Sequence, residues 1–113
     1  MALEDVDSYI EHFLHPSITE RIVADVALHN VTENSRQEIL ERLGYTGRQT
    51  IAGSNYIRFG LLVRMGVLKE WPVTAELKRL TYSVDQSSAE VIADYYSLKI
   101  ESMRSIVEAL RNQ

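Results

Sequence analysis

The chain has 113 residues, of which 45% are hydrophobic, and it contains no cysteine. This length and composition indicate one globular domain with its own core, and the lack of cysteine excludes a disulfide framework and a thiolate zinc site. The acidic start MALEDVDSYIEH lacks the apolar segment of a secretory signal, and no apolar run is long enough to span a membrane. We therefore expect a soluble, cytoplasmic protein.

Charge is distributed unevenly along the chain, although the formal net charge is only −4. Residues 1–45 carry nine acids and three bases, and residues 85–113 carry five acids and three bases. Residues 46–84 carry six bases and two acids, so the basic excess lies entirely there. A local positive surface can bind a polyanion even on an acidic protein, because salt screens distant charges. The alternative is an ordinary fluctuation of surface charge.

Two helices are predicted before residue 30. Apolar residues at helical spacing predict a helix over 4–15, which Pro16 ends. Ser17, followed by Glu20 three positions later, forms a capping-box pattern that begins a second helix. This second helix is expected to end near His29.

Two further helices are predicted around a glycine-containing turn. The third begins at Asn34 or Ser35, since both start a capping-box pattern, and ends before Gly44. The fourth runs from about Arg48 to Met65. Its glycines at 53 and 60 weaken it by roughly 1 kcal/mol each relative to alanine, and they indicate close packing, a kink or a break. Its predicted buried side consists of Ile51, Asn55 or Tyr56, Ile57, Phe59, Leu62 and Val63.

A β-hairpin and a long helix complete the chain. Residues 67–71 and 79–84 are predicted as two short strands, the first halted by Pro72. The final helix is expected to begin at Ser87 and Ser88 and to run to about residue 111. Its apolar residues recur in steps of four and three, as in a heptad seam. The residues of this seam are Tyr96, Ile100, Met103, Val107 and Leu110.

This order of elements resembles a winged helix-turn-helix domain over about residues 17–84. The segment SRQEILERLGYTGRQTI carries the helix-turn-helix part, with Leu43, Gly44 and Thr46 where that motif usually has an apolar residue, a glycine and a turn hydroxyl. The turn before Thr50 is one residue longer than usual, and Gly60 stands where a proline is expected. The implied fold class is mainly α with a small β-hairpin, a winged helix-turn-helix core followed by a long C-terminal helix.

A narrower resemblance lies in the run NYIRFGLLVRMGVLKEWP. It is similar to the winged-helix segments of RecG-like regulators and Fic-type proteins, in which an apolar pair, a glycine, a strand with proline, a basic wing and a tyrosine-containing return strand follow one another. Here those places are taken by Leu61 and Leu62, Gly66, Pro72, Lys78 and Arg79, and Tyr82.

The resemblance implies a non-catalytic transcriptional regulator that binds double-stranded DNA. A recognition helix near 47–65 would enter the major groove, and a wing near 73–80 would touch the backbone. Short polar side chains near a helix N-terminus suit contacts to base edges and phosphates. The residues expected at DNA are Thr46, Arg48, Gln49, Thr50, Ser54, Asn55, Arg58, Lys78 and Arg79.

The division expected within the single domain is an N-terminal helix (1–16), a winged-helix core (17–84) and a C-terminal dimerisation helix (85–113). The seam of the last helix either folds back on the first helix or pairs with a second copy. We favour a homodimer, since two recognition helices could then read two half-sites.

Other functions have weaker support in the sequence. His12 and His15 lie at i and i+3 but lack a third convergent ligand, so we expect no metal site. No phosphate-binding loop or nucleophile motif is present, so we expect no cofactor and no enzymatic activity. The remaining alternative is a winged-helix module or adaptor subunit whose basic face meets an acidic protein.

Overall fold

The computed structural model describes residues 3–48 and 53–113. Helix α1 (Leu3–Tyr9) continues into a π-helical turn over Ile10–Leu14. The predicted helix over 4–15 is thus confirmed, with a more loosely wound last turn. The Tyr9 and Phe13 rings lie 5.4 Å apart, and Phe13 is 75% exposed.

Helices α2 (Ile18–Leu28) and α3 (Arg36–Arg42) each begin with a capping box. The hydroxyl of Ser17 accepts the Glu20 N–H at 3.2 Å. The hydroxyl of Ser35 accepts the Glu38 N–H at 3.1 Å. Both boxes were predicted, and each satisfies a backbone donor that a helix start leaves without a partner.

The alternative start of α3 at Asn34 is wrong. A short 3₁₀ turn (Val31–Glu33) delivers Asn34 to the interior, where its side chain is fully buried. Its amide donates to the carbonyl oxygens of Val26 at 3.0 Å and Tyr82 at 3.1 Å. The side chain therefore joins α2 to the hairpin instead of capping a helix.

Helix α4 spans Gly53–Arg64, and the predicted stretch over 49–52 lies outside the described residues. Helices α3 and α4 end in the same way, at Gly44 with φ +98° and at Gly66 with φ +78°. The Gly66 N–H donates to Val63 and the next N–H donates to Leu62. This reverse turn requires a left-handed residue, which glycine adopts without a Cβ clash.

The glycine at 60 does not break α4, and it is not a site of close packing. Among the described residues, a Cβ built at Gly53 or Gly60 would meet no atom within 4 Å. Both glycines therefore lower helix propensity without a packing reason among the described residues.

The predicted buried side of α4 is partly wrong. Asn55, Phe59 and Leu62 are buried, at the i, i+4 and i+7 spacing of one helical face. Ile57 is 67% exposed, because a turn of 100° per residue carries it to the side opposite Phe59. Tyr56 is also exposed, and Val63 is half-buried.

A two-stranded antiparallel hairpin follows, in which β1 (Leu68–Trp71) pairs with β2 (Thr81–Val84). Both strands are slightly shorter than predicted. Their register places Leu68 opposite Val84 and Trp71 opposite Thr81. Residues 72–80 connect the strands and form the wing.

The long helix α5 (Gln86–Arg111) begins one step earlier than predicted. Its cap is Asp85, whose carboxylate accepts the Ser88 N–H at 3.1 Å and the Ser87 hydroxyl at 2.6 Å. These bonds, from Ser87 first, hold the pKa of Asp85 below its usual value. The predicted start at the two serines is therefore late by one residue, because Asp85 takes the capping position.

The hydrophobic core lies entirely within the winged-helix part of the described chain. Helices α2, α3 and α4 and both strands supply it, and the Phe59 and Tyr82 rings meet at 5.1 Å. Its buried members are Ile22, Val26, Ile39, Leu40, Phe59, Leu62, Leu68 and Tyr82. The expected fold class is confirmed: a mainly helical winged-helix core with a small hairpin and a long C-terminal helix.

Candidate nucleic-acid interface

The connection between α3 and α4 carries two of the residues expected at DNA. Thr46 and Arg48 are exposed there, directly after the reverse turn at Gly44. Arg48 makes no hydrogen bond, ion pair or ring contact within the described residues. Gln49 and Thr50 lie outside those residues, so their predicted roles stay predictions.

The first described turns of α4 separate the polar residues that were expected to act together. Ser54 is exposed, whereas Asn55 is only 6% exposed and faces the core. The expectation of a base contact from Asn55 does not fit this burial. Arg58 is half-buried, and its Nε atom is buried with no partner among the described residues.

The wing presents one of its two predicted basic residues to solvent. Lys78 is exposed and makes no hydrogen bond, ion pair or ring contact in the described part of the chain. Arg79 instead pairs with Glu38 of α3 at 2.8 Å and donates to the carbonyl of Thr32 at 3.2 Å. Arg79 therefore fastens the wing to α3, which makes it a poorer candidate for a phosphate contact than Lys78.

The carboxylate of Glu38 takes part in both the cap of α3 and the wing contact. Burial works against its charged form, but hydrogen bonds from Ser35 and Arg79 outweigh burial and lower the pKa of Glu38. The carboxylate therefore stays ionised through the neutral range and can hold the arginine.

Most other positively charged side chains of the winged-helix core already bind a partner within the described residues. Arg42 makes a bidentate contact with Asp25, at 2.8 Å for the closest pair, and also donates to Asn34. Arg21 donates to the carbonyl of Leu43 at 3.1 Å. Arg36 lies 3.9 Å over the Tyr56 ring, and Lys69 lies 4.2 Å over the Trp71 ring.

The outward side of α4 contains residues that the sequence analysis missed. Ile57, Leu61 and Met65 are all exposed there, and so is Arg64. Their positions follow from helical periodicity once Phe59 and Leu62 are known to be buried. The helical spacing of the sequence therefore contained the information needed to identify these exposed residues, but using it required knowing which face of α4 is buried.

Polar contacts stabilise both the wing and the paired strands of the hairpin. In the wing, the N–H of Leu77 donates to the Thr74 hydroxyl at 2.9 Å. At the strands, the Tyr82 phenol donates to Glu70 at 2.9 Å. Burial, together with that bond, raises the pKa of Tyr82 to about 12.

The predicted seam of α5 is on the surface of the single chain. Its members are exposed or nearly so, from Tyr96 to Leu110. Tyr96 donates to Glu20 of α2 at 2.6 Å. This bond lowers the pKa of Glu20 and raises the pKa of Tyr96 to about 12.

An apolar groove of about 930 Å³ lies between α2 and the first half of α5. Its lining includes Val23, Ala24 and Ala27 from α2, and Ile92 and Tyr95 from α5. The groove continues the exposed apolar surface of α5, since Tyr95 in its lining is exposed.

The described ranges carry neither a metal site nor a membrane-spanning helix. No group of three or more histidine, aspartate and glutamate residues within 3–48 and 53–113 is arranged to hold a metal ion. In the same ranges, no helix is long and apolar enough to cross a membrane.

The comparisons with known proteins place the fold. No protein-family model matches the chain, and no curated protein matches its sequence. Solved structures of MepR from S. aureus do match: one mutant has a TM-score of 0.62 at 16% identity, covering 94% of this chain and 74% of that chain.

Two of the similar MepR structures contain nucleic acid. A second mutant, bound to an oligodeoxyribonucleotide, has a TM-score of 0.60 at 15% identity and covers 94% of this chain and 73% of its own. The S. aureus MepR–DNA complex has a TM-score of 0.55 at 16% identity, covering 93% and 71%. The narrower resemblance to RecG-like and Fic-type segments finds no support in these comparisons. At this level of identity the likeness shows a shared winged-helix fold.

Proposed function

We propose that this chain is a non-catalytic transcriptional regulator that binds double-stranded DNA. The observation that carries the proposal is the pair Arg48 and Lys78. Both are exposed and without a partner in the described residues, one in the connection between α3 and α4 and the other on the wing. In winged-helix proteins these are the two elements that meet the duplex, and structures of the similar MepR were solved with DNA.

Each element has a separate task in this proposal. The start of the recognition helix, near 47–65, enters the major groove, where Thr46 and Ser54 meet base edges or phosphates, as would Gln49 and Thr50. Lys78 neutralises a backbone phosphate from the wing. Arg58 supplies positive charge from α4 itself, whereas Arg79 and Asn55 stabilise the core on which the interface is built.

The second part of the proposal is a homodimer formed through residues 85–113. The exposed seam of α5 and the exposed apolar side of α1 need a cover, because a buried side chain of this kind is stabilised by about 1.5–3 kcal/mol relative to an exposed one. A second copy of the same chain supplies it and also brings a second recognition helix to a neighbouring half-site.

The test is fluorescence anisotropy with a labelled random-sequence duplex, read at rising salt. Binding should weaken steeply between about 50 and about 200 mM salt, since each phosphate contact releases counterions. Arg48→Ala and Lys78→Ala should each lower the slope of log affinity against log salt by about 1 for each bound chain.

The matched control is Arg104→Ala, which removes an exposed arginine from α5. It changes the net charge equally but lies outside the proposed DNA interface and is not a member of the α5 seam, so it should leave the slope unchanged. Absence of binding at low salt would overturn the proposal, as would equal effects of all three variants.

A second candidate function is a protein-interaction module. The observation that favours it is the apolar outward side of α4, with Ile57 and Met65 both about two-thirds exposed. Such a module would show no salt-dependent duplex binding and would lose its protein partner on substitution of Ile57. The exposed side chains of Arg48 and Arg64 favour DNA over a protein partner.

A further inference from the structure

The outward side of α4 combines exposed apolar residues with polar and basic neighbours. Ile57 lies near its centre and is 67% exposed. Ser54 precedes it by three residues and Arg64 follows it by seven, so both lie on the same side of the helix. The side that faces a duplex in the proposed function therefore presents a branched hydrocarbon group at its middle.

A hydrocarbon group in the major groove discriminates between bases. The groove floor displays hydrogen-bond donors and acceptors, and its one apolar group is the 5-methyl of thymine. Covering a cytosine amino group with isoleucine would remove its water without offering a partner, which is unfavourable. Covering a thymine methyl removes apolar surface from water, which is favourable.

From this we infer that Ile57 reads thymine, so the preferred DNA site carries thymine methyl groups under the middle of α4. The inference rests on the proposed DNA-binding function and deepens it by naming the base that this residue selects. Charge supports DNA as the occupant of this face, because Arg48 lies just before the helix and Arg64 lies on its outward side.

The position within the helix also favours Ile57 over the other exposed apolar residues. Leu61 lies about 6 Å and Met65 about 12 Å further along the axis, at the rise of an α-helix. A recognition helix contacts bases with its N-terminal turns. Met65, just past the C-terminal end of α4, is therefore the natural control for an exposed apolar residue far from the N-terminal turns.

The experiment separates the methyl group from the rest of the base. Duplexes that bind the full-length wild-type chain are enriched from a random 30-bp pool and then amplified with either thymidine or deoxyuridine triphosphate. The two pools share every base-pairing edge and differ only in the 5-methyl group. Affinities are measured by anisotropy for the wild type and for Ile57→Ser, Ile57→Val and Met65→Ser.

The wild type should bind the thymine pool more tightly, by about fourfold for each methyl group contacted. Ile57→Ser should bring the ratio between the pools close to one. Ile57→Val, which keeps a branched hydrocarbon, and Met65→Ser should retain most of the ratio. Circular dichroism melting checks that each variant folds. We expect all of them to fold, because the side chains at both positions are exposed.

Other outcomes distinguish a failure of the inference about Ile57 from a failure of the proposed DNA-binding function. Equal wild-type affinity for the two pools would overturn the role of Ile57 and leave the DNA-binding proposal standing. A thymine preference that survives in Ile57→Ser would assign the discrimination to another residue and likewise overturn the inference. Failure to enrich or bind any duplex at low salt would overturn the proposed function itself.

Discussion

A single buried side chain, Asn34, connects the parts of the winged-helix core. Its amide donates to carbonyls of α2 and β2, and its oxygen accepts from Arg42 at 2.6 Å. Arg42 in turn is held by Asp25. A buried amide with all these partners specifies one arrangement of α2, α3 and hairpin, because other arrangements would leave polar groups unsatisfied.

We predict that Asn34→Ala lowers the free energy of unfolding by about 2–4 kcal/mol, since it leaves buried carbonyls without donors and opens a small cavity. Urea unfolding followed by circular dichroism measures this change. The control is Gln37→Ala, which removes one exposed side-chain bond to Glu41 and should change stability by about 0.5 kcal/mol or less. Equal effects of the two variants would contradict the role given to Asn34.

At the scale of elements, glycines have opposite consequences in turns and in helices. Gly44 has a left-handed backbone that ends α3 and sets the direction of the connection to α4. Gly60 lies within α4, and a Cβ there would meet no described atom within 4 Å. The same residue type is therefore required at one place and weakens the structure at the other.

We predict that Gly44→Ala destabilises the protein by about 1–2 kcal/mol, because an L-residue is strained at this φ. In contrast, Gly60→Ala should stabilise it by up to about 1 kcal/mol through higher helix propensity. Thermal unfolding of the two variants measures both changes. A loss of stability in Gly60→Ala, or none in Gly44→Ala, would contradict this account of the helix ends.

The whole molecule is elongated, with a radius of gyration of 17.4 Å. A compact domain of this length has a radius of about 13 Å. The difference reflects α5, whose 26 residues extend the molecule and contribute no buried residue to the described core. Exposed apolar residues on α1 and α5 are what a chain shows when a partner normally covers them.

We predict that the wild type has about twice the single-chain mass of 12.9 kDa and that Ile100→Asp reduces it to a single chain, because a buried carboxylate without a partner opposes association. Light scattering after size-exclusion chromatography measures the mass. Ser105→Asp, on the polar side of α5, is the control and should leave the dimer intact. A wild type of single-chain mass would contradict the dimer.

The order of elements could be predicted from the sequence because it depends on local chemistry. Ser17 and Ser35 mark the starts of their helices, because each forms a capping box with the glutamate three positions later. Gly44 and Gly66 mark the helix ends, because glycine adopts the left-handed backbone of the terminating turn most easily. These effects act within one turn of the chain. The hairpin was likewise visible from its β-forming residues and from Pro72.

The identity of the available surface residues depended on contacts between elements far apart in sequence. Arg79 and Lys78 look equivalent in the sequence, yet Arg79 meets Glu38 across 41 residues and Lys78 stays in solvent. Asn55 is buried and Ile57, which was expected to be buried, is exposed, because the core packs against Phe59 and Leu62. Local sequence thus determined which helices and strands form, whereas tertiary packing decided which side chains they expose, because burial depends on what each face meets.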